Sequence, residues 1–468
     1  MKFKRLLSLL LIFVFVINVV YTPNTASADT IPAVPQSQMV FLVMDADTGH
    51  IICSSGNDND KVYPASLTKV MTAMVALDYC SDLDKVMTIS QAAIDGIGVD
   101  GQNTGRLKAG MTLDFESLLN IMMIYSANET SCAIAENIGG TIDGFIDMMN
   151  AKADSLGLTG THYVNPCGMH DKDHYTTPLD LAKIARASLK YPIIGEIAQK
   201  SSITIDFNDG KSPVTYSSTN RLINQAHYGN YYDFTYTRDG QNYSYKVTGL
   251  KTGYTDPAGC CLITTSTSTE GRNIITVVLK AYSSLVAAQY SHKLLTYIHK
   301  NTCEYTLSTK GESYTTIPVE GGIENEVSLV YGSDLDMTIL SSYFNSDKVV
   351  AKYVVPDKVT APINAGDYIG QVQFYYGTNT TPLGSVSLVA AADVASPTPT
   401  PAPTPTATPN NGKNPKPTKI PSDTTVGQED PEPSNLGGIL IVSFVGMAFF
   451  VTVIIFINRN AKKLKSKL

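Results

Sequence analysis

The globular part of this 468-residue chain has no stripe of lysine and arginine, and the whole carries a formal net charge of −7. With no basic face to neutralise a phosphate backbone, nucleic acid is excluded as a partner. No Cys-x-x-Cys pair occurs among Cys53, Cys80, Cys132, Cys167, Cys260, Cys261 and Cys303, which removes the spacing that argues for a metal site. Their odd number leaves two readings open: buried reduced thiols, or one or more disulfides in an oxidising compartment. Charged residues make up only 16% of the chain against 43% hydrophobic, so there is ample core material, and the length allows two or more domains.

Charge is missing altogether from one long run near each end. Lys2, Lys4 and Arg5 precede the apolar stretch Leu6 to Val20, and small residues follow at Ala26-Ser27-Ala28. Residues 1–28 read as a cleavable secretory signal, with an uncleaved anchor as the alternative. Leu436 to Ile457 carries no charge and is long enough to cross a bilayer as a helix. The tail, residues 458–468, holds Arg459, Lys462, Lys463, Lys465 and Lys467, so the positive-inside rule puts it in the cytoplasm. Between span and globular part, residues 394–435 form a Pro/Thr-rich linker that favours extended polyproline II, either a stalk or a spacer of no set length. The expected location is the cell membrane, crossed once, with the bulk of the chain on the outer, cell-wall side.

Within the globular part the pattern changes near residue 304. From 39–44 and 49–53 the chain reads as strands around an Asp47-Thr48-Gly49 turn. Leu67, Val70, Met71, Met74, Val75 and Leu77 then recur at helical spacing from Ser66 onward. Further helices are predicted at 115–123, 131–138, 142–155, 178–190 and 287–300, and strands at 246–251, 260–266 and 274–279. Strands at both ends with helices between predict one antiparallel sheet built from both termini of a 29–304 domain, of mixed α/β (α+β) class, with a helical region inserted. Residues 305–393 carry short β runs (326–330, 348–355, 368–376) separated by Gly, Asn and Asp, which predicts a small all-β domain.

Three short motifs follow one another inside the first domain: Ser66-Leu67-Thr68-Lys69, Ser126-Ala127-Asn128 and Lys251-Thr252-Gly253. On a helix Ser66 and Lys69 share a face one turn apart, so the amine reaches the hydroxyl. A serine hydroxyl is a poor nucleophile until something takes its proton, and a lysine does so only when neutral. Burial and a second cation, Lys251, both push its pKa down. The start of a helix at Ser66 favours a developing oxyanion. Taken singly each motif has a plain alternative: an N-cap serine with a solvated lysine, a cap ahead of the next helix, and an ordinary turn. In this order they describe an active-site serine acyltransferase.

The chain resembles the low-molecular-weight penicillin-binding proteins, serine-type D-alanyl-D-alanine carboxypeptidases of the cell wall. The resemblance rests on Pro64-Ala65-Ser66-Leu67-Thr68-Lys69-Val70, Tyr125-Ser126-Ala127-Asn128-Glu129 and Gly249-Leu250-Lys251-Thr252-Gly253-Tyr254. Supporting stretches are Asn165-Pro166-Cys167-Gly168, Thr176 to Asp180, Thr219-Asn220-Arg221-Leu222 and, in the β region, Ala361 to Gly366. It implies a penicillin-binding/β-lactamase-like fold and peptidoglycan stem peptides ending in D-Ala-D-Ala as substrates. β-Lactams would then be covalent inhibitors, and no metal or organic cofactor is implied. By position it implies that Ser66 is the nucleophile, Lys69 its base and Ser126 a proton relay. Asn128 would hold the substrate amide, Lys251 with Thr252 would meet the terminal carboxylate, and Gly253 belongs to the same motif. The N–H groups of Ser66 and Tyr254 would form the oxyanion hole.

The chain departs from the family pattern in places. The run Ala281 to Tyr290 lacks an arginine that relatives use on the carboxylate, so recognition is expected to rest on Lys251 and Thr252. Glu129 and Cys167 are milder departures. A class A β-lactamase shares the motifs but needs a glutamate some 95–100 residues past the nucleophile, and none occurs between Glu136 and Glu196. An endopeptidase or transpeptidase on the same site, or a catalytically idle wall-binding protein, are the remaining alternatives.

Overall fold

Alternation along Val40-Phe41-Leu42-Val43-Met44-Asp45 sends successive side chains to opposite faces of a strand, and both faces here are apolar. A computed structural model of the chain, describing residues 30–97, 105–207, 211–379 and 382–397, places this strand inside a six-stranded antiparallel sheet. Its strands are β1 (Val40–Asp45), β2 (Ile51–Ser54), β3 (Thr235–Arg238), β4 (Gln241–Thr255), β5 (Gly259–Ser268) and β6 (Asn273–Ala281), in the order β2-β1-β6-β5-β4-β3. Leu42 of β1 stands opposite Val277 of β6, so the two ends of the domain meet in mid-sheet, as the sequence predicts. Leu42, Met44, Ile275 and Val277 face one core, and Phe41, Val43, Ile274 and Val278 face another.

The first core is covered by the region inserted between β2 and β3. Its helices include α1 (Thr68–Tyr79), α2 (Phe115–Asn120), α3 (Asn128–Gly139), α4 (Ile142–Ser155) and α5 (Pro178–Ser188). All of α1 from Thr68 to Ala76 is buried, so this helix runs through the core instead of along its surface. Burying a side chain such as Val70, Met71 or Met74 contributes roughly 1.5–3 kcal/mol. The second core lies under α6 (Ser284–Asn301), through Leu294, Leu295 and Ile298. Cap chemistry explains where the helices begin. Ser283 accepts from the Val286 N–H and starts α6 three residues before the predicted 287, while Thr177 caps α5 with Pro178 in its first turn.

Two departures from the predicted elements lie next to the motifs. The helix predicted at 115–123 is α-helical only to Asn120, and continues as a π-turn over Ile121–Tyr125 that ends on Ser126 in the left-handed region, φ 71°. Helix α3 starts at Asn128 rather than 131, and neither Ser126 nor the N-cap residue Ala127 caps it with a side chain. The wide turn releases Ser126 from the helix and aims its hydroxyl elsewhere.

Among the described residues the second compact unit comprises Thr306–Asp336 and residues 346–397. Its strands β7 (Ser313–Glu320), β8 (Glu326–Tyr331), β9 (Val349–Val354), β10 (Val359–Thr360), β11 (Tyr368–Tyr376) and β12 (Gly384–Ala390) form a sheet in the order β9-β11-β12-β8-β7-β10. Val327, Leu329, Val372, Phe374, Val386 and Leu388 alternate into its core. The expected division at 304/305 is not a single cut. Residues Met337–Asn345 belong with the first unit, where Leu340 joins the second core and the Thr338 N–H donates to Asp45 Oδ2 at 2.5 Å. The β unit also extends past the expected 393, because Val394 and Ile363 exchange backbone hydrogen bonds and Ala395 O accepts from Ile323 N–H. The expected signal, the linker from 398, the 436–457 span and the basic tail lie outside the described residues. Among the described residues no helix is long and apolar enough to cross a membrane.

Candidate active site

Ser66 sits in a single 3-10 turn, Ala65–Leu67, that leads directly into α1. Two glycines from distant segments press against this turn. Gly168 has φ +88°, and a Cβ there would lie 1.9 Å from the Ala65 carbonyl oxygen and 3.0 Å from the Ser66 nitrogen. A Cβ on Gly253 of β4 would come within 3.1 Å of the Pro64 oxygen and the Ser66 nitrogen. Ala65 itself is held at φ +49°, an unusual place for a residue with a side chain, immediately before Ser66. The backbone around Ser66 is therefore set by tertiary contact.

One helical turn on, Lys69 is fully buried. Its Nζ donates to Ser66 Oγ at 2.8 Å, to Asn128 Oδ1 at 2.8 Å and to the Cys167 carbonyl at 2.7 Å. The last acceptor is presented by a turn that Asn165 ties together, its Oδ1 taking the Gly168 and Met169 N–H groups at 2.7 and 3.1 Å. Burial pushes Lys69 down from 10.5 to about 8, against the opposing pull of Cys167, Cys132 and Glu129. Next to it, His174 holds Thr68: its Nδ1 accepts from the Val164 N–H, leaving Nε2 to donate to Thr68 Oγ1 at 2.8 Å. Burial lowers His174 to about 3, so the ring stays neutral.

Across the cleft, Lys251 is also buried, at 1% exposure, and donates to Ser126 Oγ at 2.9 Å and to its neighbour's carbonyl, Thr252 O, at 3.0 Å. Desolvation first, and the Lys69 cation second, hold Lys251 well below the ordinary lysine range. Each serine of the site thus faces its own lysine, in a setting where both amines give up protons far more readily than in water.

The open side of the cleft is lined by Ser66, Ser126, Thr252, Gly253 and Tyr254 among the residues singled out in the sequence. Lys69, Asn128 and Lys251 stand behind that lining. Lys251, expected to meet a carboxylate beside Thr252, lies against Ser126. Thr252 pairs with Thr219, their Oγ1 atoms 2.5 Å apart. Arg221 is the one charged residue in the lining. Its Nε donates to Ser284 Oγ at the start of α6 at 3.0 Å, and its guanidinium lies over the Tyr228 ring. A guanidinium therefore stands against the helix whose first turns lack an arginine. Thr219 and Arg221 lie in a stretch that the sequence marks out without assigning a role, and nothing local ties them to Ser66. Among the described residues no cluster of three or more His, Cys, Asp or Glu is arranged to hold a metal ion.

A hydroxyl paired with a desolvated amine, with a second such pair opposite and an open cleft between, is the equipment of a serine acyltransferase. Residues 24–283 match the D-alanyl-D-alanine carboxypeptidase family, and residues 304–396 match the C-terminal domain of penicillin-binding protein 5. D-alanyl-D-alanine carboxypeptidase DacF of Bacillus subtilis is 28% identical over 376 residues, 78% of this chain and 89% of that protein. A D-alanyl-D-alanine endopeptidase of Pseudomonas aeruginosa is 31% identical over 270 residues, 56% of this chain and 79% of that one. The fold is that of penicillin binding protein 5 from Haemophilus influenzae, with a TM-score of 0.59 at 24% identity, covering 78% of this chain and 99% of the other. The chain belongs to the D-alanyl-D-alanine carboxypeptidase family and is a low-molecular-weight penicillin-binding protein. Its activity is that of a serine-type D-alanyl-D-alanine carboxypeptidase.

Proposed function

We propose that Ser66 carries this activity through an acyl-enzyme formed on the stem peptides of peptidoglycan. The observation that carries the reading is the 2.8 Å contact between Ser66 Oγ and a fully buried Lys69. Neutral Lys69 takes the hydroxyl proton as Oγ attacks the carbonyl carbon between the two terminal D-alanines. The N–H groups of Ser66 and Tyr254 receive the oxyanion. Ser126 passes a proton to the departing amine and is resupplied by Lys251. The proton that Lys69 took restores the Ser126–Lys251 pair, so D-alanine leaves with Lys69 neutral again. Lys69 then takes a proton from the water that releases the shortened peptide and returns it to Ser66 Oγ. Asn128 holds Lys69 and the substrate amide, while Thr252, Thr219 and Arg221 take the terminal carboxylate, Arg221 contributing the charge. β-Lactams enter by the same attack and stay on Ser66.

The charge pattern of the two ends supports an exported chain tethered by residues 436–457, its catalytic unit facing the cell wall. Truncation before 436 would then free the protein from the membrane fraction.

Intact-mass measurement after brief exposure to penicillin tests the site. One adduct is expected, absent from Ser66→Ala. A folded wild-type protein with no adduct refutes the assignment. The kinship with a named endopeptidase favours one second reading, cleavage of cross-linked peptides. Product masses from a pentapeptide and from a cross-linked dimer separate the two, since loss of a single terminal D-alanine marks the carboxypeptidase.

A further inference from the structure

Two residues bracket the Ser126-Ala127-Asn128 triplet, Tyr125 before it and Glu129 after it, and both are held by the same two partners from elsewhere in the chain. Glu129 is fully buried in the first turn of α3, and its Oε1 accepts the Gly105 N–H at 2.5 Å. The Gly105 carbonyl in turn accepts the Tyr216 hydroxyl at 2.5 Å. Tyr216 is 2% exposed on the strand Val214–Ser217, and its ring meets the Tyr125 ring edge to face, with centroids 5.1 Å apart. The circuit Tyr125, Tyr216, Gly105, Glu129 closes around the triplet. One corner has room only for glycine: a Cβ on Gly105 would stand 2.7 Å from Glu129 Oε1 and 3.3 Å from the Ala127 Cβ.

What the circuit encloses needs holding. Ser126 lies at φ +71°, a conformation that a residue with a side chain keeps only when its surroundings impose it. Its own N–H closes the wide turn on the Ile121 carbonyl at 3.2 Å, and the Ile124 carbonyl accepts the Thr219 N–H at 3.1 Å. Those bonds fix the backbone before Ser126, while the Tyr216 circuit fixes the triplet at both ends. The Ser126 hydroxyl, 2.9 Å from Lys251, is aimed by that backbone.

We propose that Tyr216 is a positioning residue for the proton relay at Ser126, keeping its hydroxyl between Lys251 and the departing amine. This rests on the reading of Ser126 as that relay. Tyr216 stands outside the lining of the cleft and acts through Tyr125 and Gly105. Burial first and the Glu129 charge second push its phenol up to about 12, so it keeps the proton it donates. The leaving group shows which step depends on it. Cleavage of the D-Ala-D-Ala bond expels an amine, which needs a proton to depart, whereas a thioester expels a thiolate, which does not. An N-acyl-D-alanyl thioglycolate offers the same acyl group and keeps the terminal carboxylate. A displaced Ser126 therefore slows the peptide and spares the thioester, while a general loss of fold slows both alike.

The test measures kcat/KM of the full chain on an N-acyl D-Ala-D-Ala peptide and on that thioester. In Ser126→Ala the peptide value is expected to fall at least about a hundredfold further than the thioester value. Tyr216→Phe keeps the ring on Tyr125 and drops the hydroxyl; its peptide value should fall about tenfold while the thioester stays within about twofold. Tyr216→Leu loses both contacts and should lower the peptide value about a hundredfold. Should the tyrosine variants fail to fold, Gly105→Ala strains the opposite corner of the circuit and should move the ratio in the same direction. A wild-type ratio in folded Tyr216→Phe, with the Ser126→Ala ratio shifted, overturns the positioning role and leaves the relay standing. An equal fall on both substrates in Tyr216→Phe marks a structural tyrosine and overturns it as well. An equal fall on both in Ser126→Ala removes the relay itself, and the role of Tyr216 with it.

Discussion

In the proposed reaction Lys69 must lose a proton before it can take one from Ser66, and burial sets how often that happens. Burial, partly opposed by nearby acidic groups, brings the ammonium from 10.5 to about 8, a net shift that corresponds to roughly 3 kcal/mol against the charged form. At pH 7 about one amine in ten is then neutral, and at pH 9 about nine in ten. The direction follows from the sign of the shift: the reactive form is the deprotonated one, so acylation rises with pH and levels off above the Lys69 pKa. Stopped-flow acylation by a fluorescent penicillin between pH 5.5 and 9.5 should give a rate about tenfold higher at pH 9 than at pH 7, falling about tenfold per unit below 7. Glu129→Gln removes an anion that raises the Lys69 pKa, so its profile should move toward acid. Lys69→Arg, whose guanidinium keeps its proton, should lose at least about a hundredfold. A rate that is flat from pH 6 to 9, or that falls as pH rises, refutes Lys69 as the base.

Three further outcomes follow from the geometry. Gly168→Ala puts a methyl 1.9 Å from the Ala65 oxygen at a φ of +88°, and should cost about 2–5 kcal/mol, read as a lowered Tm. The same shift of the Ser66 turn should cut acylation about a hundredfold. Arg221→Ala should raise KM for a D-Ala-D-Ala peptide about tenfold, with little change when the terminal carboxylate is amidated, and steady-state kinetics on both peptides checks this. Ser283→Ala removes the cap of α6 and should cost about 1 kcal/mol in a denaturant titration while penicillin acylation stays at the wild-type rate.

What the sequence by itself determined were the features that local chemistry encodes. Apolar period 2 in Val40 to Asp45 and in Ile274 to Leu279 marks strands whatever they pair with. The repeat through Val70, Met71 and Met74 marks a helix, and Pro178 behind Thr177 marks where one begins. The pairing of Ser66 with Lys69 was legible for the same reason, since the two stand three residues apart, one in the 3-10 turn and one in the first turn of the helix it leads into. Sequence order also showed the sheet closing from both ends, because strands flank a helical insertion. Only the tertiary structure decided what depends on segments far apart in the chain. The π-turn before Ser126, the contact of Lys251 with Ser126, Arg221 resting on Ser284, and the return of 337–345 to the first unit have no local signature.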